Sequence, residues 1–264
     1  MGFTIKQFYI FYFLFSQEGQ NLLKQNITGA AQGGLNSTNL KEIKIPLPPL
    51  EVQQQIVDEC SAVDLEAKHA REAITTYVRT CEEKTQSVIN AGYEMKRLED
   101  IAEKLIAGGD VPKNNFSQIK TDKFNIPIYA NGVENKGLYG YTDIAKIKKP
   151  SITISARGTL GYTEVRNEIF YPIVRLIVLT PNEDLVNISY LKHVVNRLDF
   201  TDSGSVIPQL TVPKVRGLQI PVPPLDIQQQ LVAEVEQLET KITEAQAVID
   251  KATNRKNAIF TKYL

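Results

Sequence analysis

The sequence predicts an α+β fold in which a globular mixed α/β domain is combined with two long antiparallel coiled-coil helices. Three observations predict it. A 13-residue segment occurs twice, 175 residues apart, and a long helical pattern follows each copy. Between the first helical pattern and the second copy, short apolar runs alternate with turn residues, as they do in domains built around sheets.

The first feature along the chain is an unbroken apolar run of eight residues, Phe8–Phe15. A membrane-spanning helix needs about 20 apolar residues. No small-residue cleavage site accompanies the run, so neither a membrane anchor nor a signal peptide is predicted. We expect a helix or a strand that packs against a globular domain.

The repeated segment indicates a duplicated module. Ile45–Val57 and Ile220–Val232 are identical at nine of their 13 positions, and the other four are conservative. At the same offset Gly29 corresponds to Gly204, so the similarity begins ahead of the segment. The period is far longer than that of solenoid repeats.

Each copy predicts a boundary between extended chain and helix. A Pro-Pro pair cannot continue a strand ladder and holds the preceding residues extended. Glu51 and Asp226 follow the two pairs. An acidic residue is favourable there, in the first turn of a helix, because of the helix dipole.

Both helical patterns contain an apolar stripe with steps of three and four residues, which is typical of a coiled-coil seam. Each helix is predicted to run about 40 residues, or about 60 Å. Any long amphipathic helix has such a stripe, but two helices of equal length after the same entry favour pairing with each other. The principal seam positions are Ile56, Val63, Ile74 and Tyr77 in the first helix, and Leu231, Leu238, Ile242 and Ile249 in the second.

Residues 93–222 show the alternation of short apolar runs and turn residues that predicts the globular domain. Gly92 is expected to end the first helix. Helices are predicted at Met95–Leu105 and Ile188–Leu198. The predicted strands are Asn125–Ala130, Gly137–Thr142, Ser151–Ala156 and Ile169–Thr180.

Composition excludes few functions. Formal net charge is zero, with 30 basic and 30 acidic residues. The charges are nevertheless distributed unevenly along the chain: residues 104–175 carry a net charge of +5 and residues 51–92 a net charge of −4. This distribution is compatible with a basic face on the middle domain. Cys60 and Cys81 form no CxxC pair, which argues against a zinc site and a disulfide framework and fits a reducing cytoplasm.

Four further motifs and the overall layout carry a family resemblance. Leu105–Lys113 and Ser155–Gly161 lie in the middle domain, and the glycine-containing segments Gly29–Leu35 and Gly204–Leu210 precede the two boundaries. With the duplicated boundary motif, they make the chain resemble the specificity subunit of type I restriction–modification systems. The resemblance covers essentially all 264 residues.

The resemblance implies a domain organisation. Residues 1–50 would be the C-terminal remnant of a first target-recognition domain, 51–92 a first spacer helix, 93–222 a complete target-recognition domain, and 223–264 a second spacer helix. Relative to a full specificity subunit, the chain is therefore expected to be a truncated product, a naturally half-sized subunit or the product of one part of a split gene.

The resemblance also implies a function and partners. Each target-recognition domain of such a subunit reads one half of an interrupted site in double-stranded DNA. The helices act as a ruler and dock methylation subunits, which bind S-adenosylmethionine and methylate adenine, and a restriction subunit joins them. The specificity subunit itself would be non-catalytic and need no cofactor. With one complete reader, this chain is expected either to form a homodimer through its aromatic segment and exposed helix faces or to be a monomer that joins a separately encoded first half.

Candidate DNA-binding residues are cations suited to phosphates, together with amides and guanidinium groups suited to base edges. They lie in loop-like segments of the middle domain: Lys113, Asn114, Asn115, Asn131, Lys146, Lys148, Lys149, Arg157, Gly158 and Thr159.

Each candidate has a structural alternative. Asn131 followed by glycine is more often a hairpin turn than a DNA contact. The three lysines before Pro150 fit a solvated turn. Arg157 could pair with Glu164 or Asp143 within the domain.

An enzyme of this complex would show motifs that the sequence lacks. Neither Pro-Pro pair has the preceding Asn or Asp and the following aromatic residue of an adenine methyltransferase loop. There is no GxxxxGK[ST] phosphate loop and no proline followed by aspartate, as nucleases of this kind require. The rival interpretation is a coiled-coil interaction scaffold or regulatory decoy that docks methylation subunits without binding DNA.

Overall fold

A computed structural model describes residues 4–26, 37–198, 200 and 209–264 of the chain. The chain forms two compact units. Unit 1 comprises Met1–Arg79 with Leu238–Leu264, and unit 2 comprises Thr80–Gln237. The segments Gly29–Leu35 and 204–208, singled out in the sequence, fall outside the described residues.

Two long helices confirm the predicted fold class, together with the mixed helices and sheets. They follow the two Pro-Pro pairs and are 40 and 39 residues long, with Glu51 and Asp226 in their first turns. The helices are α1 (Ile5–Phe15), α2 (Gln17–Gln25), α3 (Ser37–Glu42), α4 (Leu50–Ile89), α5 (Ile188–Val195), α6 (Val212–Gly217) and α7 (Leu225–Tyr263).

In unit 1, α4 and α7 pair antiparallel. Glu59 accepts a hydrogen bond from Lys262 Nζ at 2.9 Å, and Asp64 accepts one from Lys256 Nζ at 2.6 Å. Glu66 pairs with Arg255, and Lys241 lies over the Tyr77 ring. Residue numbers in α7 fall as those in α4 rise, which is the signature of antiparallel helices.

The predicted seam positions differ in burial. Ile56 and Val63 are buried in unit 1 and Leu231 is buried in unit 2. The remaining five are only half-buried: Ile74, Tyr77, Leu238, Ile242 and Ile249. Two helices cover each other on one side only, so the seam stays partly open to water where no third element packs on it.

The apolar run Phe8–Phe15 forms most of α1. Tyr9 and Phe13 are buried against Ile56, Cys60 and Phe260 of the long helices. The expectation that this run packs on a globular domain is therefore wrong, because the helix pair of unit 1 itself provides the apolar surface. Among the described residues, no helix combines the length and the hydropathy needed to cross a membrane.

The described residues of unit 2 form three small sheets. A four-stranded antiparallel sheet has the order β2-β8-β5-β6, a three-stranded sheet the order β4-β3-β7, and β1 pairs with β9. The strands are β1 (Met95–Arg97), β2 (Ala102–Ala107), β3 (Ile126–Tyr129), β4 (Leu138–Thr142), β5 (Ser151–Ile154), β6 (Thr163–Arg166), β7 (Tyr171–Pro172), β8 (Ile177–Pro181) and β9 (Gln219–Pro221).

The core of unit 2 joins the larger sheet to helices. Ile154 and Leu179 of the sheet pack in one cluster with Tyr190 of α5 and Leu231 and Val235 of α7. The C-terminal part of α4 packs on the same cluster through Cys81 and Val88. The start of α7 is therefore part of the globular core.

Two sequence predictions of local structure need correction. Met95–Leu105 is not a helix: it contains β1 and the start of β2, because pairing with β9 and β8 overrides its helix propensity. Ile169–Thr180 is two strands, β7 and β8, separated by a turn. The first long helix ends at Ile89, and Gly92 follows with φ +79°. The other predicted strands and the helix at Ile188 are confirmed within a few residues.

Candidate nucleic-acid interface

The side chain of Asn131 ties together two turns of unit 2. Its Nδ2 donates to the carbonyl of Val174 at 2.7 Å, and its Oδ1 accepts from the amide of Ala156 at 2.8 Å. The next residue, Gly132, has φ +132° and donates to Ser155 Oγ at 3.3 Å. The half-buried Asn131 amide therefore braces the backbone on both sides, and its role in DNA binding stays a prediction.

The first of these turns presents Arg175. Val174 and Arg175 lie between β7 and β8 in the left-handed region, with φ +52° and +60°, and both are exposed. This conformation is costly for a β-branched residue such as Val174. Its amide donates to the carbonyl of Gly109 at 2.8 Å, and the amide of Arg175 donates to that of Gly108.

A glycine pair, Gly108 and Gly109, follows β2, and a close backbone contact at Gly108 explains why glycine is needed there. A Cβ at Gly108 would lie 2.7 Å from the amide nitrogen of Ile173, so only glycine allows the two backbones to approach. The pair therefore holds the Val174–Arg175 turn from one side while Asn131 holds it from the other. This bracing offsets the backbone strain of the turn.

The second turn carries Arg157, Gly158 and Thr159 between β5 and β6. All three residues are exposed, and Gly158 has φ +71°. A guanidinium nitrogen of Arg157 donates to Gln209 Oε1 at 2.9 Å. The alternative pairing with Glu164 or Asp143 is not formed: Glu164 accepts from the Tyr162 hydroxyl and lies 3.8 Å from Lys136 Nζ.

Lys113 and Asn114 occupy a separate exposed turn. The amide of Asn115 donates to the Pro112 carbonyl at 3.0 Å, which closes the turn. Lys113 and Asn114 are exposed and Asn115 is half-buried. The turn leaves a cation and an amide side chain accessible from solvent.

The three lysines before Pro150 come together around one surface depression of about 330 Å³, which Lys104, Glu103, Ile147 and Thr180 also line. Lys149 Nζ donates to Glu103 Oε2 at 2.6 Å, and this hydrogen bond raises the pKa of Lys149. Lys146 Nζ lies 5.7 Å from the centroid of the Tyr171 ring. The depression therefore gathers four ammonium groups around one carboxylate, which suits an anion.

A buried arginine supports a further left-handed turn. Arg166 is 4% exposed; its Nε donates to Thr153 Oγ1 at 3.2 Å, and its Nη2 donates to the carbonyl of Lys136. Asn135 and Lys136 have φ +45° and +54° and are exposed. The buried guanidinium thus fixes the backbone of a turn that carries an amide and an ammonium group.

Two cations of this surface were not predicted from the sequence. Lys104 lies within β2, and Arg175 lies within the apolar run that was predicted as a single strand. The signal for Arg175 was the charged residue itself, because a charge inside a fully buried strand is unfavourable and marks a turn. In the part of the chain that the structure describes, no group of three or more His, Cys, Asp or Glu side chains could hold a metal ion.

Comparison with known proteins gives a family for the whole chain. The family model described as the type I restriction modification DNA specificity domain matches residues 3–75 and 90–252. These ranges include parts of both units, both boundary motifs and most of the two long helices.

Individual relatives agree with the family model. A Mycoplasma pneumoniae protein named type I specificity subunit S.MpnORF89P is 30% identical over 227 residues, 80% of this chain and 67% of the relative. A second M. pneumoniae protein, named type I specificity subunit S.MpnORF507P, is 29% identical over 77% of this chain. The chain spans 57% of the length of that second relative.

Solved structures show the same fold at low sequence identity. The S subunit of a type I restriction–modification system from M. genitalium superposes with a TM-score of 0.63 at 16% identity, over 98% of this chain and 72% of that one. A chain from a structure of a type I R-M system superposes with a TM-score of 0.66 at 19% identity. With the family model matched over well more than half of its residues, this chain belongs to the type I restriction–modification DNA specificity family.

Proposed function

We propose that this protein recognises a DNA sequence for a type I restriction–modification complex and that residues 93–222 form its target-recognition domain. The observation that carries the proposal is the pair of exposed arginines, Arg157 and Arg175, on two turns that share the Asn131 side chain as a brace. A reader of bases needs guanidinium groups on a rigid backbone, because bidentate contacts to guanine require fixed geometry.

The remaining candidates divide by chemistry. Lys104, Lys146 and Lys148 suit phosphate contacts, which position a protein on DNA without reading sequence; Lys149 contributes through the same depression, next to Glu103. Asn114 and Asn115 suit adenine edges, with Lys113 on the adjacent phosphate. Gly158 allows the backbone to approach DNA closely, and Thr159 offers a hydroxyl. Asn131 acts as a positioning residue in this assignment.

The two long helices would connect the reader to its partners. Methylation subunits, which carry S-adenosylmethionine, would dock on them and receive their target from this chain, and a restriction subunit would join the complex. Residues 51–92 and 223–264 are the proposed spacer helices, and residues 1–50 the end of a first recognition domain. The protein itself would contribute no catalytic group.

The decisive experiment co-expresses the full chain with its methylation subunits and maps methylated adenines across a genome. A defined sequence motif is the expected result, and it should change or disappear with Arg157→Ala. If Arg157 makes a bidentate base contact, the substitution should cost about 1–3 kcal/mol at the cognate site only. Methylation without any motif, or complexes that retain no DNA, would support the scaffold interpretation instead.

Two controls separate base contacts from general electrostatics. Arg157→Lys keeps the charge and removes the planar fork, so it should resemble Arg157→Ala if the contact is to a base. Lys251→Ala removes an exposed cation from α7 of unit 1 and should leave the motif unchanged. Affinity should fall steeply with salt for the wild type, because phosphate contacts release counterions.

Association of two copies remains part of the proposal. Phe11 and Phe15 of α1 are 51% and 67% exposed, and their rings lie 4.9 Å apart. An exposed aromatic pair favours burial against a partner, and a twofold dimer would place two readers on an interrupted palindrome. Sedimentation of the chain with its methylation subunits should show two copies, and an asymmetric motif would contradict the dimer.

A further inference from the structure

The internal duplication provides the same boundary segment in two settings. In unit 2, β9 pairs antiparallel with β1, and the pairing continues outside the strands: Leu98 N donates to the Leu218 carbonyl at 2.8 Å and Val222 N to the Glu94 carbonyl at 2.9 Å. In the boundary segment of unit 2, one edge of β9 is thus covered by β1 and its flanking residues.

The equivalent segment of unit 1 is uncovered. Ile43–Leu47 correspond to Leu218–Val222, and no strand pairs with them among the residues that the structure describes. Pro46 is exposed where Pro221 is buried, and Ile45 is half-buried where Ile220 is fully buried. Leu47 and Leu50 are 52% and 61% exposed.

Two hydrogen bonds show that the two segments are nevertheless built alike. The hydroxyl of Tyr9 donates to the Pro46 carbonyl at 2.7 Å, as that of Tyr190 donates to Pro221 at 2.8 Å. Gln53 Nε2 donates to the Pro48 carbonyl at 2.7 Å, and Gln228 Nε2 donates to Pro223 at the same distance. The uncovered edge of unit 1 is therefore anchored by the same two side-chain hydrogen bonds as the covered one.

The two glutamines, Gln53 and Gln228, differ in the hydrogen bonding of their side-chain oxygens. Gln228 Oε1 accepts from the amide of Asn187, the N-cap of α5, at 2.8 Å. Gln53 is 6% exposed, and its Oε1 is buried with no hydrogen-bond partner among the residues that the structure describes. An amide oxygen removed from water without a partner is unfavourable. It indicates that a backbone N–H belongs beside Gln53, as one lies beside Gln228.

We propose that Ile43–Leu47 is a docking edge for an extended segment of a second polypeptide, which pairs antiparallel with it as β1 pairs with β9. The occupant covers Leu47 and Leu50 with apolar side chains. A part of it outside this strand brings a backbone N–H to Gln53 Oε1, since in unit 2 that donor is the amide of Asn187 and not one of β1. An intact second copy of this chain does not fit, because its own β1 and its Asn187 amide are already engaged. The inference rests on the duplication and is independent of the proposed DNA contacts.

The test offers the full chain a synthetic peptide with the sequence Tyr93–Asp100, the segment that covers the equivalent edge in unit 2. Millimolar peptide is used because a short strand pair is marginal by itself. Amide hydrogen exchange is measured at Leu47. The peptide should slow exchange at Leu47 by about tenfold while Val222, already paired, is unchanged.

Two variants and a scrambled peptide test whether strand pairing causes the slower exchange. Leu47→Pro removes the N–H that corresponds to the donor of Val222, so in this variant and in Leu47→Ala exchange is followed at Ile45, the equivalent of the paired Ile220. Protection of Ile45 by the peptide should be lost in Leu47→Pro, whereas Leu47→Ala keeps the N–H and should retain most of it. Equal protection by the scrambled peptide, or undiminished protection of Ile45 in Leu47→Pro, would overturn the proposal. So would protection of Leu47 that grows with chain concentration in the absence of peptide, since the occupant would then be a second copy.

Discussion

The guanidinium carbon of Arg166 lies 3.7 Å from the centroid of the Tyr129 ring. Arg166 belongs to β6 of the four-stranded sheet and Tyr129 to β3 of the three-stranded sheet, so this contact joins the two sheets. The Tyr129 hydroxyl donates to Glu168 at 2.6 Å, and burial raises the pKa of Tyr129 to about 12. The arginine is thus held between an aromatic face, a threonine hydroxyl and a backbone carbonyl.

Replacement of this arginine should destabilise unit 2. Arg166→Met keeps the apolar stem and removes the cation, which leaves the Thr153 hydroxyl and the Lys136 carbonyl without their donor. The expected loss in the free energy of unfolding is about 1–3 kcal/mol. Urea unfolding followed by circular dichroism measures it, since the chain has no tryptophan.

Arg175→Met is the matched control for this prediction. Arg175 is exposed, and its removal should change the free energy of unfolding by less than about 0.5 kcal/mol. Equal losses in the two variants would show that the buried guanidinium makes no special contribution.

The Asn131 brace makes a second prediction, in which stability and DNA binding change together. Asn131→Ala removes both hydrogen bonds and leaves the buried Ala156 without an acceptor for its amide. The expected cost is about 1–3 kcal/mol of unfolding free energy. DNA affinity, measured with methylation subunits present, should also fall, because Arg157 and Arg175 lose their fixed positions.

Asn114→Ala should separate these two effects. Asn114 is exposed in its turn, so its removal should lower DNA affinity without a change in stability. If Asn131→Ala also left stability intact while DNA binding fell, Asn131 would be a base contact rather than a brace.

The seam of the long helices makes a third prediction, because its burial varies along unit 1. Val63 is 4% exposed and packs against Ala67 and Ala252. Val63→Asp should cost about 3–4 kcal/mol, since it buries an unpaired carboxylate. Ile74→Asp and Ile242→Asp, at half-buried positions, should each cost about 1–2 kcal/mol because water still reaches them.

Thermal unfolding of the three variants checks the order. A melting temperature that falls as far in Ile74→Asp as in Val63→Asp would mean that the middle of the seam is buried in solution, for instance by a partner. Wild-type melting in all three would contradict the helix pairing itself.

Acid should weaken the helix pair, which is the fourth prediction. Hydrogen bonds from Tyr263 and Lys262 lower the pKa of Glu59, and one from Arg255 lowers the pKa of Glu66. A carboxylate with a lowered pKa stabilises the fold above its unfolded pKa and loses that contribution as the pH falls through its folded value. Both pairs are exposed, so the effect should be modest and sensitive to salt.

Melting temperatures at neutral pH and below the ordinary glutamate range test this expectation. The double variant Glu59→Gln with Glu66→Gln should show a smaller decrease on acidification than the wild type. An identical decrease would assign the acid sensitivity to other groups.

Much of the architecture follows from local sequence. The two long helices depend on a periodicity of three and four residues and on a Pro-Pro pair followed by an acidic residue, all of which act over a few residues. The duplication of that boundary made the prediction specific, and both helices start where it places them. Gly108 and Gly109 are a loop signal in the local sequence, but the backbone that Gly108 approaches cannot be inferred from it.

Other features were decided by interactions between residues far apart in the chain. Met95–Leu105 has the residues of a helix and forms two strands, because partners more than 70 residues away supply the hydrogen bonds. Asn131 faces inward because Val174 and Ala156 converge on it. Gln53 and Gln228 are the same residue in the same motif, yet within the described part of the chain a donor reaches the oxygen of Gln228 and not that of Gln53. Local propensity cannot distinguish such positions, since their free energy is set by which groups the rest of the fold brings to them.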